Sequence, residues 1–108
     1  MRKVTKHAVT AFLAGKPATC GNTRTDGNTL YLFDKCIAWK AAGRAGEAAG
    51  TITMTLAGYP TATTRDRLNG LCQLATGHRP FAQKAHEQYF NGKYISANDT
   101  VSIYPTRL

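Results

Sequence analysis

The chain has 108 residues, a formal net charge of +8 and 43% hydrophobic residues. Its length predicts a single domain over residues 1–108 and is too short for a large enzyme of several parts. Its hydrophobic content exceeds that of disordered chains, and no stretch is apolar for long enough to predict a membrane span.

The first predicted element is an amphipathic helix over residues 4–14. Its apolar side contains Val4, Ala8, Val9, Phe12 and Leu13. Its opposite side is basic and includes Lys3 and Lys6. Gly15 is expected to end the helix.

A short β-meander is predicted over residues 21–40. Asp26-Gly27 marks a first turn, and the strand formers of residues 29–33 follow it. Asp34-Lys35 marks a second turn before a strand over residues 36–40. The candidates for the buried face are Leu30, Leu32, Ile37 and Trp39.

Residues 41–50 are almost entirely small and rich in glycine, a composition that allows a weak helix but favours a mobile loop. Residues 51–56 then alternate strictly between threonine and the apolar Ile52, Met54 and Leu56. This alternation predicts a strand with one buried face.

A second helix is predicted over residues 64–76, with Thr63 or Thr64 as its cap and Asp66 in its first turn. Its apolar stripe contains Leu68, Leu71, Cys72 and Ala75, and the residues expected to lie off that stripe are Arg65, Arg67 and Asn69. Gly77 is expected to end the helix.

Residues 80–104 allow two interpretations. Phe81, Ala85 and Tyr89 have helical spacing, whereas Asn91-Gly92 between strand formers indicates a hairpin, which we favour. A last strand is expected over residues 101–104.

These elements predict an α+β fold: an antiparallel sheet of about five or six short strands, an N-terminal helix and a second helix near residues 64–76. Both helices should cover the sheet face that carries Ile52, Met54 and Leu56. Joint burial of these residues with Leu68 and Leu71 is the test of this arrangement.

No catalytic or metal-binding motif is present in the sequence. A Gly-rich phosphate loop, a metalloprotease motif and a nucleophile elbow are all absent. The three cysteines and three histidines lack metal-ligand spacing. We therefore expect no enzyme activity, cofactor or metal. The odd number of widely spaced cysteines and the lack of a convincing signal peptide predict a reduced, cytoplasmic protein.

The distribution of charge is the main functional signal. Residues 1–45 contain eight basic and two acidic side chains, a net charge of +6, whereas residues 46–108 have a net charge of +2. Aromatic and basic side chains alternate in this first part, as single-stranded nucleic-acid surfaces require, although the rings could equally be ordinary core or edge residues. The candidate nucleic-acid-binding residues are Lys3, Lys6, Arg24, Tyr31, Phe33, Lys35, Trp39, Lys40, Arg44, Arg65 and Arg67.

Four segments together resemble a group of small proteins encoded by tailed bacteriophages: residues 5–16, 27–38, 56–71 and 88–92. The segment of residues 56–71, LAGYPTATTRDRLNGL, is the most specific of them. The resemblance implies a one-domain phage protein in the cytoplasm of a bacterial host, with a strand before Asn91-Gly92, and implies no particular activity.

The phage setting leaves three hypotheses for the function. The first is an accessory protein that binds nucleic acid through an electropositive N-terminal face. The second is a modulator or inhibitor that binds an acidic surface of a host protein. The third is a minor structural component of the virion.

Overall fold

The computed structural model describes residues 1–41 and 50–106, so most of the predicted loop or weak helix of residues 41–50 lies outside the described residues. The helices are α1 (Lys3–Ala14) and α2 (Ala62–Thr76). The first strands are β1 (Ala18–Cys20), β2 (Thr23–Thr25), β3 (Thr29–Leu32), β4 (Lys35–Lys40) and β5 (Ile52–Thr55). The later strands are β6 (Phe81–Lys84), β7 (Glu87–Phe90), β8 (Lys93–Ile95) and β9 (Thr100–Ile103).

The described strands form two antiparallel sheets. The larger has six strands in the order β1-β2-β3-β4-β5-β9, and the smaller has three in the order β6-β7-β8. The last strand, β9, therefore returns to the large sheet and pairs with β5. The predicted α+β class is confirmed, and the segment between α2 and β9 forms a sheet of its own.

Both helices pack against one face of the large sheet and against each other. Ile52, Met54 and Leu56 of the sheet segment and Leu68 and Leu71 of α2 are all buried in one cluster. The predicted joint burial is confirmed. The opposite face of the large sheet carries no helix among the described residues.

The β3–β4 hairpin differs from its prediction in two respects. Leu32 pairs with Lys35, so the two-residue turn is Phe33-Asp34 rather than Asp34-Lys35. The register also shifts along these strands, which leaves Ile37 as an extra residue. Such a bulge breaks strict alternation. Trp39 consequently lies on the outward face, half-buried, and its predicted place on the buried face is wrong.

Residues 81–95 form a meander of three strands, which confirms the hairpin interpretation over the helix. Asn91 and Gly92 have φ of 51° and 80°, the positive values that a type I′ turn requires. The preceding turn, Ala85-His86, also has positive φ at both residues. Ala85-His86 lacks the asparagine, aspartate or glycine that usually marks such a turn, and alanine disfavours this conformation.

Helix α2 begins two residues earlier than predicted. Thr61 is its cap and has extended backbone angles, and its Oγ1 accepts a hydrogen bond from the Thr64 backbone N–H over 3.2 Å. Thr64 is instead a buried residue of the first helical turn. Gly77 ends the helix as expected.

Removal of the Thr61 cap is expected to destabilise the protein moderately. Thr61→Ala leaves an N–H of the first turn without its acceptor, which lowers the free energy of unfolding by about 1 kcal/mol. Urea denaturation followed by circular dichroism measures the loss. The control is Thr63→Ala in the same turn, which should cost less; an equal loss in both variants would contradict a specific capping role for Thr61.

Candidate nucleic-acid interface

The uncovered face of the large sheet carries the candidate site. Side chains alternate between the faces of a strand, so the outward positions follow from the strand pairing. These outward side chains are Thr19, Arg24, Thr29, Tyr31, Cys36, Trp39, Thr53, Thr55, Thr100 and Ser102. None of these positions carries a carboxylate. We call this surface the outward face.

Arg24 and Tyr31 form the centre of the outward face. They are paired neighbours on β2 and β3, and the Arg24 guanidinium carbon lies 4.0 Å from the centre of the Tyr31 ring. Arg24 also lies 3.6 Å from the Asp34 carboxylate, whose side chain is 93% exposed. An ion pair this exposed is weak, so the guanidinium can exchange Asp34 for another anion.

Trp39 extends this face toward β5 and β9. It pairs with Thr53, whose hydroxyl lies 3.2 Å from the Ser102 hydroxyl on β9. Cys36 is opposite Tyr31 and is half-buried. Burial raises the pKa of the Cys36 thiol, so it is neutral at physiological pH. The outward face therefore combines aromatic rings, one guanidinium and uncharged hydrogen-bonding groups.

Phe33 and Lys35 lie beside this face, at a groove next to the start of α2. The groove has a volume of about 430 Å³ and is also lined by Tyr59. Phe33 is 69% exposed and Tyr59 is 53% exposed. The Lys35 ammonium nitrogen lies 4.8 Å from the centre of the Tyr59 ring. Sequence reasoning did not single out Tyr59, because a tyrosine before a proline carries no signal for this contact.

Lys40 does not belong to the outward face. It pairs with Ile52 on the core side of the sheet, and its ammonium donates a hydrogen bond to the Gly27 carbonyl over 2.9 Å. It also lies 5.1 Å from the centre of the buried Phe12 ring. Burial lowers the pKa of Lys40. Its charge therefore holds the β2–β3 turn against α1 and is not free for a ligand.

The two arginines at the start of α2, both candidate nucleic-acid-binding residues, are bound to other parts of the protein. Arg67 is only 3% exposed, so the expectation that it lies off the buried stripe is wrong. Arg65 is half-buried, and one of its nitrogens donates to the Pro60 carbonyl and to the side chains of Gln83 and Gln88. Both guanidinium groups already have protein partners.

Lys3 and Lys6 are exposed on α1, which packs on the core face of the sheet. They therefore lie on the opposite side of the sheet from Tyr31 and Trp39. Arg44 lies outside the described residues. The predicted single basic face is divided between the helix side and the outward face.

Within residues 1–41 and 50–106, no group of three or more histidine, cysteine or acidic side chains could hold a metal ion. Neither described helix is long and apolar enough to cross a membrane.

Over residues 1–105, the chain matches the family described as Kyanoviridae Gp96 protein. The match spans nearly the whole chain, and it confirms the expected relation to phage proteins. No curated protein and no solved structure matches the chain.

Proposed function

The chain belongs to the Kyanoviridae Gp96 family of bacteriophage proteins, and we propose that it is a phage accessory protein that binds single-stranded nucleic acid on its outward face. The observation that carries this proposal is the Arg24 guanidinium 4.0 Å above the Tyr31 ring, on a face that also holds Trp39. A cation beside aromatic rings offers contacts to both phosphates and bases.

Three properties of the outward face support an unpaired strand as its ligand. Bases stack on aromatic rings and on guanidinium planes only when they are free of a duplex. The hydroxyls of Thr53 and Ser102 can donate to base edges or phosphates. The outward strand positions described here lack carboxylates, and the formal net charge of +8 attracts a polyanion from a distance.

Removal of a ring from the outward face is expected to weaken strand binding. Tyr31→Ala or Trp39→Ala removes a stacking surface worth roughly 1–3 kcal/mol per base. The dissociation constant should therefore rise about 5-fold to 150-fold. Fluorescence anisotropy with a short labelled single-stranded oligonucleotide at ~50 mM salt measures it, and affinity should fall steeply as salt is added.

Two control variants show whether the ring itself matters. Tyr31→Phe retains the stacking surface and should bind like the wild type. Tyr94→Ala removes an exposed tyrosine of the small sheet and should also leave binding unchanged. Absence of binding at ~50 mM salt would rule out the proposal, since electrostatic attraction is strong there. Equal binding by Trp39→Ala, Tyr31→Ala and wild type would exclude the outward face as the surface used.

Pull-down from nuclease-treated host lysate tests the host-protein alternative. A stoichiometric protein partner that remains after nuclease treatment, together with no oligonucleotide binding, would favour a modulator of a host factor. Detection of the chain in purified virions by mass spectrometry would favour a structural role.

A further inference from the structure

The groove beside the outward face has the shape and lining of a ligand site. Its volume of about 430 Å³ falls within the range of roughly 300–1,000 Å³ that is usual for small-ligand pockets. Its floor is formed by the buried side chains of Leu32, Ile37 and Leu56. Phe33 and Tyr59, two of the most exposed large hydrophobic side chains described, stand at its rim.

Phe33 has a backbone conformation that phenylalanine disfavours. Its φ is 51° and that of Asp34 is 68°, so both residues of the β3–β4 turn are left-handed. Asparagine and glycine favour this conformation, whereas a bulky side chain is strained in it. Strained residues persist most often at ligand sites. The exposed Phe33 ring makes no packing contribution to the core that would explain its presence.

The charge around the groove favours an anionic ligand. No carboxylate lines it among the described residues, and Lys35 is its one charged lining group. The Lys35 ammonium lies over the Tyr59 ring at 4.8 Å, an exposed contact that a stronger anionic partner can replace. Threonine hydroxyls at the start of α2 supply the remaining polar groups.

We propose that this groove holds one unstacked nucleobase, with Phe33 and Tyr59 packing on the base and Lys35 binding its phosphate. The inference rests on the nucleic-acid binding proposed above and adds a separate base site to it. Phe33 also borders a smaller hollow that is lined by Arg24 and Asp34, so its ring lies between the groove and the outward face. A strand that stacks on Tyr31 can therefore pass Phe33 into the groove.

The test is titration of the whole protein with adenosine 5′-monophosphate and with adenosine, followed by two-dimensional NMR. We expect the nucleotide to shift the backbone amide signals of Phe33, Lys35 and Tyr59, with saturation at one site. Adenosine should bind more weakly because it lacks the phosphate. Lys35→Gln should abolish this difference, leaving nucleotide and nucleoside with equal affinity.

Phe33→Asn separates binding from folding. Asparagine favours the left-handed conformation of this turn, so the melting temperature of the variant should be no lower than that of wild type. Its affinity for the nucleotide should fall about 5-fold to 150-fold, because the ring that stacks on the base is lost. Ala85→Asn is the matched control, because Ala85 has the same φ of 51° in a two-residue turn of the small sheet. Like Phe33→Asn, Ala85→Asn should have a melting temperature no lower than that of wild type, but its affinity for the nucleotide should equal that of wild type.

Two results would overturn the base site itself, one would reject only the proposed function, and one would identify a different ligand. Shifts confined to Tyr31 and Trp39, or an unchanged affinity in Phe33→Asn, would exclude the groove even if oligonucleotides still bind to the outward face. Nucleotide binding in the groove without oligonucleotide binding would instead reject the proposed function and retain a nucleotide site. Tighter binding of N-acetyl-phenylalanine amide than of the nucleotide would identify the groove as a docking site for a protein side chain.

Discussion

Replacement of Arg67 by methionine is expected to lower the free energy of unfolding by about 3 kcal/mol. Methionine retains much of the volume of the side chain but removes a buried cation from its partners. Loss of one member of a buried ion pair is strongly destabilising, because the remaining polar groups stay buried without compensation. Because Asp66 is partly exposed, we expect the lower end of the usual range.

The partners of Arg67 explain the size of this effect. Its Nε donates to the Thr23 hydroxyl over 2.8 Å, and its Nη1 donates to the Thr5 hydroxyl over 2.8 Å and to the Asp66 carboxylate over 2.7 Å. Its Nη2 reaches the Asn22 side chain over 3.2 Å. These residues belong to α1, α2 and the start of β2, so one guanidinium links three elements of the core.

Arg65→Met is the matched control in the same helix. Arg65 also donates several hydrogen bonds, but its contacts with the Pro60 carbonyl and the Gln83 side chain are exposed, and these two acceptors can bind water after the substitution. Only its third acceptor, the Gln88 side chain, is buried. The expected loss is about 1 kcal/mol. Urea denaturation of both variants measures the difference. Equal losses would show that the Arg67 network contributes no more than surface hydrogen bonds.

The dependence of stability on pH gives a second measurement of the same network. Burial alone would raise the pKa of Asp66, but hydrogen bonds from Thr5 and Arg67 outweigh it and lower the pKa. The ionised carboxylate therefore stabilises the fold above the pKa of the unfolded chain, and this contribution is lost as pH falls through the folded value. Stability should decline below about pH 4, and less steeply in Arg67→Met than in wild type.

Much of this fold could be predicted from the sequence because its core follows simple periodicity. Strict alternation identified Ile52, Met54 and Leu56, and each is buried. Asn91-Gly92 identified its hairpin, because few residue pairs accept two positive φ values. The helical stripe of α2 correctly identified Leu68 and Leu71. In each case, the local pattern agrees with the tertiary environment.

The errors occur where distant segments decide the environment of a residue. α2 contacts α1 on one side and β6 on another, so more than one of its faces is covered. Asn69, predicted to be off the buried stripe, is buried and exchanges two hydrogen bonds of 2.8 Å with the backbone of Phe81. Helical periodicity contains no information about a second covering layer. The same applies to Trp39, whose direction depends on the bulge at Ile37.

The candidate site was partly predictable for a similar reason. Arg24 and Tyr31 were both selected from the sequence, and strand pairing brings them together. Lys40 was selected by the same alternation of basic and aromatic residues, yet it contacts Gly27 and Phe12 on the core side. Composition identifies cations near aromatic rings, but it does not identify the face of the sheet on which each one lies.

Gly27→Ala is expected to destabilise the protein by about 2–5 kcal/mol, through two independent effects. Gly27 has φ of 96°, which costs an alanine roughly 1–2 kcal/mol. A Cβ at this position would also lie 2.6 Å from the Gly15 carbonyl oxygen and 2.7 Å from its carbon. These are backbone atoms at the end of α1, and overpacking of this kind costs roughly 1–3 kcal/mol.

Gly92→Ala separates these two effects. Gly92 has φ of 80°, but nothing lies within 4 Å of the position that its Cβ would occupy. This control should therefore lose only the conformational part, about 1–2 kcal/mol. The difference between the two variants in urea denaturation measures the contact between the β2–β3 turn and the end of α1. If the free energy of unfolding falls equally in both variants, the close approach of Gly27 to Gly15 does not constrain the position of α1 on the sheet. A larger loss in Gly27→Ala would establish that the β2–β3 turn holds the end of α1 in place on the sheet. Lys40 of β4 contributes to the same contact, because its ammonium binds the Gly27 carbonyl and lies beside the Phe12 ring of α1.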